Sequence, residues 1–401
     1  MFADMNVVLP LWMEKRSEVI IMATIQEQKQ NARQLMTGNE AVAQAVRLAK
    51  PGVIPAYPIT PQTAIVETLA KMADDGQLNT EFMTMDSEHS VMSAAIGASL
   101  GGCRTFTATS SHGLLYMGEM IYWSGLTRIP IVMAVVNRSL NPWNIWVDHQ
   151  DSMAFRDAGW LQFYAKNNQE VLDLILIAFR VAEHHKVWMP AMVCLDGFVL
   201  SHTSSLVDVP ADKIYDQYVH DFDPLIYLDN KNPFSHGALT GSVEMTELRQ
   251  SVITGFENAK KVFAQANKEY QELVGRKYGG MLEINGQKDA KVAVMALGTL
   301  GEECEAAIDY LEAKDIHAKV VRPRVFRPFP KEELIAELKT VDKVLILDRA
   351  VSFGNEGQLA IETKAALYTA GLTNVQVIPK IVGLGGLDVN FKEIAKMIEE
   401  L

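Results

Sequence analysis

The chain has 401 residues, of which 48% are hydrophobic and 21% are charged, so it is long enough to bury more than one hydrophobic core and favours two domains over one. Its 37 basic and 49 acidic residues give a net charge of −12, which argues against a nucleic-acid-binding surface because phosphate binding needs clustered Lys and Arg. The three cysteines are far apart and show no CxxC spacing, which excludes a zinc site or iron–sulfur cluster built from this chain's cysteines alone and favours a reducing, cytoplasmic location.

Residues 1–37 are interpreted as an N-terminal extension or arm. The apolar pieces of this stretch are too short to span a membrane and are interrupted by Pro10, Glu14 and Lys15. The pattern of a secretory signal is also missing, because no basic segment precedes an uninterrupted apolar core. We therefore expect a cytoplasmic protein without a membrane partner.

Helical and strand patterns alternate through residues 38–205, which we predict to form the first domain. The predicted helices are 38–50, 62–72, 90–100, 113–124 and 169–184, and the predicted strands are 53–58, 81–85, 105–109, 129–136 and 189–197. Nearly continuous apolar strands separated by helices indicate an α/β fold whose parallel sheet is covered on both faces.

The pattern changes after residue 205. Residues 206–288 are predicted to be a linker that carries one long helix, Thr246–Val274, and residues 289–401 are predicted to form a second α/β domain. In that domain we expect strands at 291–297, 317–321 and 343–347 and helices at 301–314 and 331–338. The glycine-rich motif GLGGLD (383–388) is predicted to be a turn and not a phosphate-binding loop, because it does not lead from a strand into a clear helix.

Three polar loops follow apolar strands between Val53 and His112. The first is rich in Pro and Thr, the second carries an acidic pair of residues, and the third is rich in hydroxyl groups. In open α/β sheets, loops of this kind place ligand-binding groups at the carboxyl ends of the strands. The sequence therefore predicts a ligand site built from these loops.

Six short motifs, in one order, identify a family resemblance. They are YPITPQT (57–63), MDSEHS (85–90), FTATSSHGL (106–114), VNRSL (136–140), IWVDHQDS (145–152) and LDGFVLSHT (195–203). Together they resemble the alpha subunits of pyruvate:ferredoxin oxidoreductases, also called pyruvate synthases, in the 2-oxoacid:ferredoxin oxidoreductase family. The resemblance implies that the first domain is a thiamine diphosphate pyrimidine-binding domain and that residues 289–401 resemble the transketolase C-terminal domain.

The resemblance also implies a reaction and a set of partners. The reaction is the reversible oxidative decarboxylation of pyruvate with coenzyme A to acetyl-CoA and CO2, with electrons passing through iron–sulfur clusters on partner subunits to ferredoxin. Thiamine diphosphate would be shared with a beta subunit, whose GDG motif would hold the Mg²⁺ and the diphosphate, and gamma and delta ferredoxin-like subunits would complete the complex. This chain has no GDG motif, so we expect it to be inactive alone.

Two alternative functions stay open at this point. The chain resembles alpha subunits of 2-oxoisovalerate or 2-oxoglutarate ferredoxin oxidoreductases as well, and the sequence does not decide which 2-oxo acid is preferred. A non-catalytic assembly subunit is a further alternative, but an intact set of Thr60, Glu88 and Arg138 argues against it.

Glu88 is the predicted catalytic residue. Thiamine diphosphate must lose its C2 proton, and the base is the cofactor's own 4′-imino group, which forms when a carboxyl group hydrogen-bonds ring atom N1′. The family's activating glutamate occurs in a Ser-Glu pair after a strand, which matches Ser87-Glu88. Asp86 is the weaker candidate, and a glutamate that merely stabilises a helix N-terminus is the structural alternative.

The substrate and the rest of the cofactor are assigned to further residues by the resemblance. Arg138 is predicted to bind the substrate carboxylate and Thr60 the carbonyl oxygen, because a 2-oxo acid needs a guanidinium and a hydroxyl at these two groups. The predicted cofactor-binding residues besides Glu88 are Tyr57, Pro58, Ile59, Thr109, Ser110 and Ser111. His112 is given no catalytic role, and DHQD (148–151) is not predicted to bind a metal.

Overall fold

A computed structural model describes residues 32–231 and 233–401. Its strands are β1 (Ala32–Met36), β2 (Val53–Ala56), β3 (Glu81–Thr84), β4 (Phe106–Thr109), β5 (Val132–Asn137), β6 (Leu161–Tyr164), β7 (Ala191–Asp196), β8 (Ser205–Val209), β9 (Leu282–Gly286), β10 (Val292–Ala296), β11 (Ala318–Pro323), β12 (Val325–Arg327), β13 (Lys343–Asp348) and β14 (Gln376–Ile381). Its α-helices are α1 (Gly38–Ala49), α2 (Thr63–Asp74), α3 (Glu88–Leu100), α4 (Ser111–Tyr116), α5 (Gly118–Leu126), α6 (Gln150–Met153), α7 (Asn168–Ala182), α8 (Ser242–Val274), α9 (Leu300–Glu312), α10 (Lys331–Leu338), α11 (Gln358–Thr369) and α12 (Phe391–Glu399). A π-helical turn lies at Tyr215–Val219 and a 3-10 turn at Leu384–Gly386.

The first sheet has five strands in the order β12-β6-β7-β5-β4. Strands β4 to β7 are mutually parallel and buried along their whole length, which is typical of a parallel sheet covered by helices on both faces. Strands β2 and β3 form a separate parallel pair, and Val53 of β2 bridges in parallel to Thr105 beside β4. The loops that follow β2, β3, β4 and β5 therefore emerge at the same side of the layer.

Local sequence signals explain the helices that cover this sheet. The Thr37 hydroxyl accepts a hydrogen bond from the Glu40 amide, and the Glu40 carboxylate accepts one from the Thr37 amide, so a capping box begins α1. Asn167 caps α7 through the amide of Glu170. The apolar helix α7 is almost completely buried and packs between α1 and the sheet, so these two helices hold one face of the first core.

The second sheet has five strands in the order β14-β13-β10-β11-β9. Strands β10, β11, β13 and β14 are parallel, whereas β9 pairs antiparallel with β11 at the edge. Helices α9 and α12 cover one face with a core that includes Leu300, Ile308 and Ile394. The other face belongs to a core that continues into the first sheet, so the two sheets share buried apolar contacts.

Several elements differ from the sequence-based expectations. Strand β6 was not predicted, and β12, in the second of the predicted domains, pairs antiparallel with β6 in the first sheet. Strand β9, in the predicted linker, joins the second sheet. The helix predicted at 113–124 is two helices, α4 and α5, that meet at Met117. The differences in the strands concern short elements whose pairing partners lie in other parts of the sequence.

The predicted N-terminal arm is described only in part. Its residues Ala32–Met36 form β1, which pairs antiparallel with β8, and the rest of the predicted arm, residues 1–31, lies outside the described residues. No helix among residues 32–231 and 233–401 is long and apolar enough to cross a membrane.

The long helix α8 packs along the first domain. Its buried residues Val252, Ala259, Phe263 and Tyr270 recur at helical spacing and form one stripe. The Phe263 ring stacks on Phe163 of β6 with a centroid distance of 5.5 Å. The predicted linker helix is therefore an integral part of the first core.

Buried charges join the two sheets. Glu170 at the beginning of α7 accepts hydrogen bonds from Arg322 Nη2 at 2.9 Å and from Arg324 Nε at 2.6 Å, and all three side chains are fully buried. Burial would raise the pKa of Glu170, but the two guanidinium groups outweigh it and lower the pKa to about 2. The orientation of the second domain is thus fixed by an ionised cluster as well as by apolar contacts.

Candidate active site

Glu88, the predicted catalytic carboxylate, begins helix α3 directly after strand β3. The helix begins here because the Ser87 hydroxyl accepts a hydrogen bond from the Ser90 amide at 3.2 Å. Glu88 is 8% exposed, whereas Asp86 is exposed, so the structure favours Glu88 over its neighbour as a pocket residue. None of the hydrogen bonds or ion pairs among the described residues involves the Glu88 carboxylate, which leaves it available to a ligand.

The loop after β4 brings the Thr109 hydroxyl close to Glu88. A Cβ atom on Gly113 would lie 2.6 Å from Glu88 Oε1 and 2.6 Å from Thr109 Oγ1, so both side chains contact this glycine from the same space. Thr109 Oγ1 and Ser110 Oγ are buried and have no hydrogen-bond partner among the residues that the structure describes. Because buried polar atoms are usually paired in proteins, a bound molecule could supply a hydrogen-bond partner to these two hydroxyls.

Ser111, the third hydroxyl of this loop, is already used within the chain. Its Oγ donates to the Ser139 carbonyl at 2.6 Å, and its amide donates to Asp151 Oδ2 at 3.0 Å. Ser111 has a φ of 46°, a left-handed conformation that side-chain-bearing residues rarely adopt and that clusters at functional sites. Its hydroxyl therefore joins two loops, whereas the hydroxyls of Thr109 and Ser110 have no partner among the described residues.

The loop after β2 contains the remaining predicted cofactor residues. Tyr57 and Ile59 are half-buried, whereas Pro58 and Thr60 are exposed. Because an exposed hydroxyl in a Pro-flanked turn is open to a bound molecule, the position of Thr60 is compatible with its predicted role.

Two buried amide side chains hold this loop in place. Gln62 Nε2 donates to the Ala108 carbonyl at 2.7 Å and to the Tyr57 carbonyl at 3.3 Å, which joins the loop to the end of β4. Asn39 Nδ2 of α1 donates to the Pro61 carbonyl at 2.8 Å. The loops after β2 and β4 are therefore one connected unit.

Arg138 follows strand β5 and is 7% exposed. Its guanidinium donates from Nη1 to the Thr60 carbonyl and from Nε to the Asn144 carbonyl, both at 2.9 Å. Thr60 and Arg138, predicted together as substrate-binding residues, are thus in direct contact. Burial lowers the pKa of Arg138, which the charge of Asp151 opposes in part, and among the described residues no carboxylate forms an ion pair with its guanidinium.

Asp151 joins the loops after β4 and β5. Its Oδ2 accepts hydrogen bonds from the amides of Ser111 and Arg138, both at 3.0 Å, and its Oδ1 accepts bonds at 2.8 Å from Asn137 Nδ2 and the Ser152 amide. Asp151 is fully buried, and burial raises its pKa to about 6 although these hydrogen bonds lower it. One carboxylate therefore sets the backbone of two predicted site residues.

The other polar residues of the DHQD motif turn away from one another. Asp148 Oδ2 accepts a hydrogen bond from Ser139 Oγ at 2.7 Å, and His149 Nε2 lies 2.8 Å from Asp196 Oδ1 at the end of β7. The Asp196 carboxylate also binds Arg349 Nη1 at 2.7 Å. Burial raises the pKa of Asp196, but the charges of His149 and Arg349 outweigh it and hold this pKa below the usual range of aspartate. Each side chain of the motif thus joins different segments, and no group of metal-ligating residues is found within the described ranges.

His112 lies at the rim of the site. Its Nδ1 is 3.1 Å from Ser111 Oγ, its Nε2 contacts the Asn141 side chain, and its ring packs on Trp143 with a centroid distance of 4.3 Å. These contacts are those of a histidine that supports neighbouring loops.

The residues that sequence reasoning did not assign to the site are the supports. The sequence does not assign Gln62, Gly113 or Asp151 to the site, although all three lie within the quoted motifs. The polar side chains of Gln62 and Asp151 are visible in the sequence, but the backbone groups that they bind lie in other loops.

Two known family descriptions match this chain. Residues 44–268 match the family described as "pyruvate flavodoxin/ferredoxin oxidoreductase, thiamine diP-bdg". The chain belongs to the pyruvate flavodoxin/ferredoxin oxidoreductase family. Residues 290–394 match its "pyruvate:ferredoxin oxidoreductase core domain II". The family resemblance and the thiamine diphosphate-binding fold predicted from the motifs are both confirmed.

Relatives of this oxidoreductase subunit carry two different substrate names. The pyruvate synthase subunit PorA of Methanothermobacter thermautotrophicus is 42% identical over 365 residues, which cover 91% of this chain and 94% of that protein. The ketoisovalerate oxidoreductase subunit VorA of Pyrococcus horikoshii is 41% identical over 371 residues, which cover 92% of this chain and 93% of that protein. Overall identity therefore does not decide the 2-oxo acid.

Two solved structures share the fold of this family member. A 2-oxoglutarate:ferredoxin oxidoreductase from Magnetococcus marinus superposes with a TM-score of 0.73 at 20% identity, over 92% of this chain and 65% of that chain. A split-gene transketolase superposes with a TM-score of 0.54 at 13% identity, over 91% of this chain and 97% of that chain. The predicted relation to transketolase-like folds is confirmed at the level of the fold.

Proposed function

We propose that this chain is the alpha subunit of a pyruvate:ferredoxin oxidoreductase, which oxidatively decarboxylates pyruvate with coenzyme A to acetyl-CoA and CO2. Electrons pass through iron–sulfur clusters on partner subunits to ferredoxin, and the reaction is reversible. The observation that carries the proposal is the pair formed by Glu88 and Arg138. Both follow parallel strands at the same side of the first domain, and neither charged group is neutralised by another described residue.

The residues fit the pyrimidine end of thiamine diphosphate. The site offers one carboxylate, Glu88, beside the Thr109 hydroxyl, and the next residue, Ser110, carries a second buried hydroxyl without a partner among the described residues. An aminopyrimidine presents both donor and acceptor nitrogens, so these groups complement it. When bound, thiamine diphosphate supplies a carbon nucleophile that adds to the carbonyl carbon of the 2-oxo acid.

Glu88 is the residue that would activate the bound cofactor. With thiamine diphosphate bound, the Glu88 carboxylate would hold a proton against pyrimidine atom N1′, which would favour the form of the ring that can accept the C2 proton. The low exposure of Glu88 keeps water from competing for this bond. Tyr57 and Ile59, half-buried in the loop after β2, would contribute apolar contacts to the same ring.

Arg138 and Thr60 bind the substrate. The Arg138 guanidinium is already oriented by the carbonyls of Thr60 and Asn144 and retains a full charge for the substrate carboxylate. The exposed Thr60 hydroxyl would donate to the substrate carbonyl oxygen. A preoriented arginine loses little further freedom when the 2-oxo acid binds.

Partner subunits complete the enzyme. We assign the diphosphate and Mg²⁺ site to a beta subunit, the clusters to partner chains including gamma and delta ferredoxin-like subunits, and the complex to the cytoplasm. Large apolar side chains around the site are exposed, which is typical of a protein–protein contact surface. They include Tyr116, Trp143, Trp146 and Phe353.

Assay of the reconstituted complex against several 2-oxo acids tests the proposal. We expect viologen reduction with pyruvate to exceed that with 2-oxoisovalerate and 2-oxoglutarate in kcat/KM, and we expect the chain alone to show neither activity nor micromolar binding of thiamine diphosphate. A preference for 2-oxoisovalerate, as named for the VorA relative, would reassign the substrate but keep the reaction. A complex that oxidises no 2-oxo acid, or tight cofactor binding by the chain alone, would overturn the proposal.

A further inference from the structure

The glycine motif GLGGLD of the second domain contacts the site of the first domain. Residues 384–386 form the 3-10 turn, and Gly383, Gly385 and Gly386 have φ angles of 64°, 59° and 79°. The motif is a turn, but it lies against the segment of residues 139–148, here called the arginine loop because it directly follows Arg138. The turn therefore contacts the loop that directly follows the proposed substrate arginine.

Three hydrogen bonds join the turn to the arginine loop. Asn144 Nδ2 donates to the Gly385 carbonyl at 3.2 Å, and the Gly386 amide donates to the Val147 carbonyl at 2.8 Å. The Gly385 amide donates to Asp148 Oδ2 at 3.3 Å. The second domain thus contacts the arginine loop at three residues.

The contact reaches Arg138 through Asn144. The Asn144 carbonyl accepts the hydrogen bond from Arg138 Nε at 2.9 Å, and its Oδ1 accepts one from the Trp146 amide at 2.6 Å. The Trp146 carbonyl in turn accepts a hydrogen bond from the Ser139 amide at 2.9 Å, which joins the two ends of the loop. Asn144 therefore binds Arg138 with its main chain and the second domain with its side chain.

The contact requires glycine. A Cβ atom on Gly386 would overlap with Cβ of Trp146, and one on Gly385 would lie 2.8 Å from Asn144 Nδ2. Both positions also have the positive φ that glycine adopts without strain. A side chain at position 386 would thus push the arginine loop away from the second domain.

We propose that the turn at 383–387 positions the substrate arginine across the domain boundary, with Asn144 as the positioning residue. This inference rests on the proposed role of Arg138. The turn holds Asn144, Asn144 holds one edge of the guanidinium, and the Thr60 carbonyl holds another. The second domain thereby sets the affinity for the substrate carboxylate without touching the substrate.

The first experiment measures the loop without any activity. In the full chain, amide hydrogen exchange of Ser139 and Trp146 is compared among wild type, Gly386→Ala, Asn144→Ala and Gly371→Ala. Gly371 is the matched control, because its φ of 74° is similar and a Cβ atom there would meet nothing within 4 Å. We expect faster exchange at both amides in the first two variants and wild-type exchange in Gly371→Ala. Unchanged exchange in Gly386→Ala and Asn144→Ala would overturn the proposal.

The second experiment measures the substrate in the assembled complex. We expect KM for the 2-oxo acid to rise about tenfold in Gly386→Ala and Asn144→Ala, the scale of one weakened charge-assisted bond, with kcat changed less. Proton exchange at C2 of thiamine diphosphate should stay at the wild-type rate, whereas a merely destabilised complex would lose both. A wild-type KM in both variants would refute the positioning role. If the wild-type complex oxidised no 2-oxo acid, the proposed function would be wrong. Amide exchange would still test the contact between the turn and the arginine loop, because it does not depend on activity.

Discussion

The position of the Glu88 side chain is compatible with two roles, one in the helix and one towards a ligand. It begins α3, where the helix dipole favours a negative charge, and it borders the space beside Thr109 and Gly113. A carboxylate that served the helix alone would gain from solvent, but Glu88 is 8% exposed. Its burial beside the unpaired Thr109 hydroxyl favours a role towards a ligand.

Replacement of Glu88 by Gln tests that role. Gln keeps the shape of the side chain but cannot share an acidic proton with N1′, so proton exchange at C2 should slow by roughly two to four orders of magnitude in the assembled enzyme. Cofactor affinity should change less. Asp86→Asn, at the exposed neighbour, is the control and should exchange at the wild-type rate. Wild-type exchange in Glu88→Gln would show that another group activates the cofactor.

Replacement of Arg138 separates charge from shape. A charge-assisted bond to a carboxylate contributes about 1.5 to 3 kcal/mol, so Arg138→Ala should lower kcat/KM for pyruvate roughly ten- to two-hundredfold. Arg138→Lys should recover only part of this loss, because an ammonium cannot donate to Thr60, Asn144 and the substrate in one plane.

Two measurements accompany the Arg138 variants. Exchange at C2 of the cofactor should persist in both, since the cofactor does not need the guanidinium, and the complex should still assemble. Unchanged pyruvate kinetics together with a destabilised complex would instead make Arg138 a structural residue and leave the substrate carboxylate to a partner chain.

Elements whose signals are local could be predicted from the sequence. A capping box and the spacing of apolar residues indicate the helix at Gly38–Ala49. A run of apolar residues indicates the strand at Val132–Asn137. Strands β6 and β12 could not be predicted in the same way, because they have only four and three residues. They pair antiparallel with each other although they belong to two different predicted domains. Their existence depends on the tertiary structure.

The same distinction applies to the loops of the site. Thr60, Glu88 and Arg138 could be proposed because each follows a strand and matches a family motif. The role of Asp151 could not be proposed, because the sequence shows that this residue is a carboxylate but not that it binds the amides of Ser111 and Arg138. A hydrogen bond between loops is a property of the folded chain.

Asp151 links two of these loops, and Asp151→Asn should disturb both. The amide group of Asn would present an N–H to a pair of backbone or side-chain donors, and each buried donor left unpaired costs about 1 to 3 kcal/mol. We expect a lower free energy of unfolding and a fall in kcat/KM of at least about tenfold, measured in the full chain and in the complex. Asp157→Asn, at an exposed aspartate, is the control. Wild-type stability and kinetics in Asp151→Asn would remove Asp151 from the support of the site.

At the scale of the whole molecule, the carboxyl ends of both sheets meet. Asp196 ends β7 of the first sheet, and its carboxylate binds Thr299 after β10 and Arg349 after β13 of the second. The Glu170 cluster is a second buried junction, on α7. Because isolated buried charges are costly, the two domains are stable only in the relative position that pairs them.

Glu170→Gln tests this dependence on charge. Removing one member of a buried ion cluster leaves Arg322 and Arg324 under-paired, which should lower the free energy of unfolding by about 3 to 5 kcal/mol at pH 7. Denaturant unfolding of the full chain measures this loss. Glu67→Gln, at an exposed glutamate on α2, is the matched control and should unfold like the wild type.

The contribution of Glu170 to the free energy of unfolding should depend on pH. The pKa of Glu170 is lowered from 4.5 to about 2 in the folded chain, so the unfolded chain binds the proton more readily. The stability that Glu170 contributes is therefore fully present above about pH 4.5 and is lost as the pH falls towards 2. The difference in unfolding free energy between wild type and Glu170→Gln should narrow below pH 4.5. A difference that stayed constant down to the acid transition would show that Glu170 stabilises the fold by packing and not by its charge.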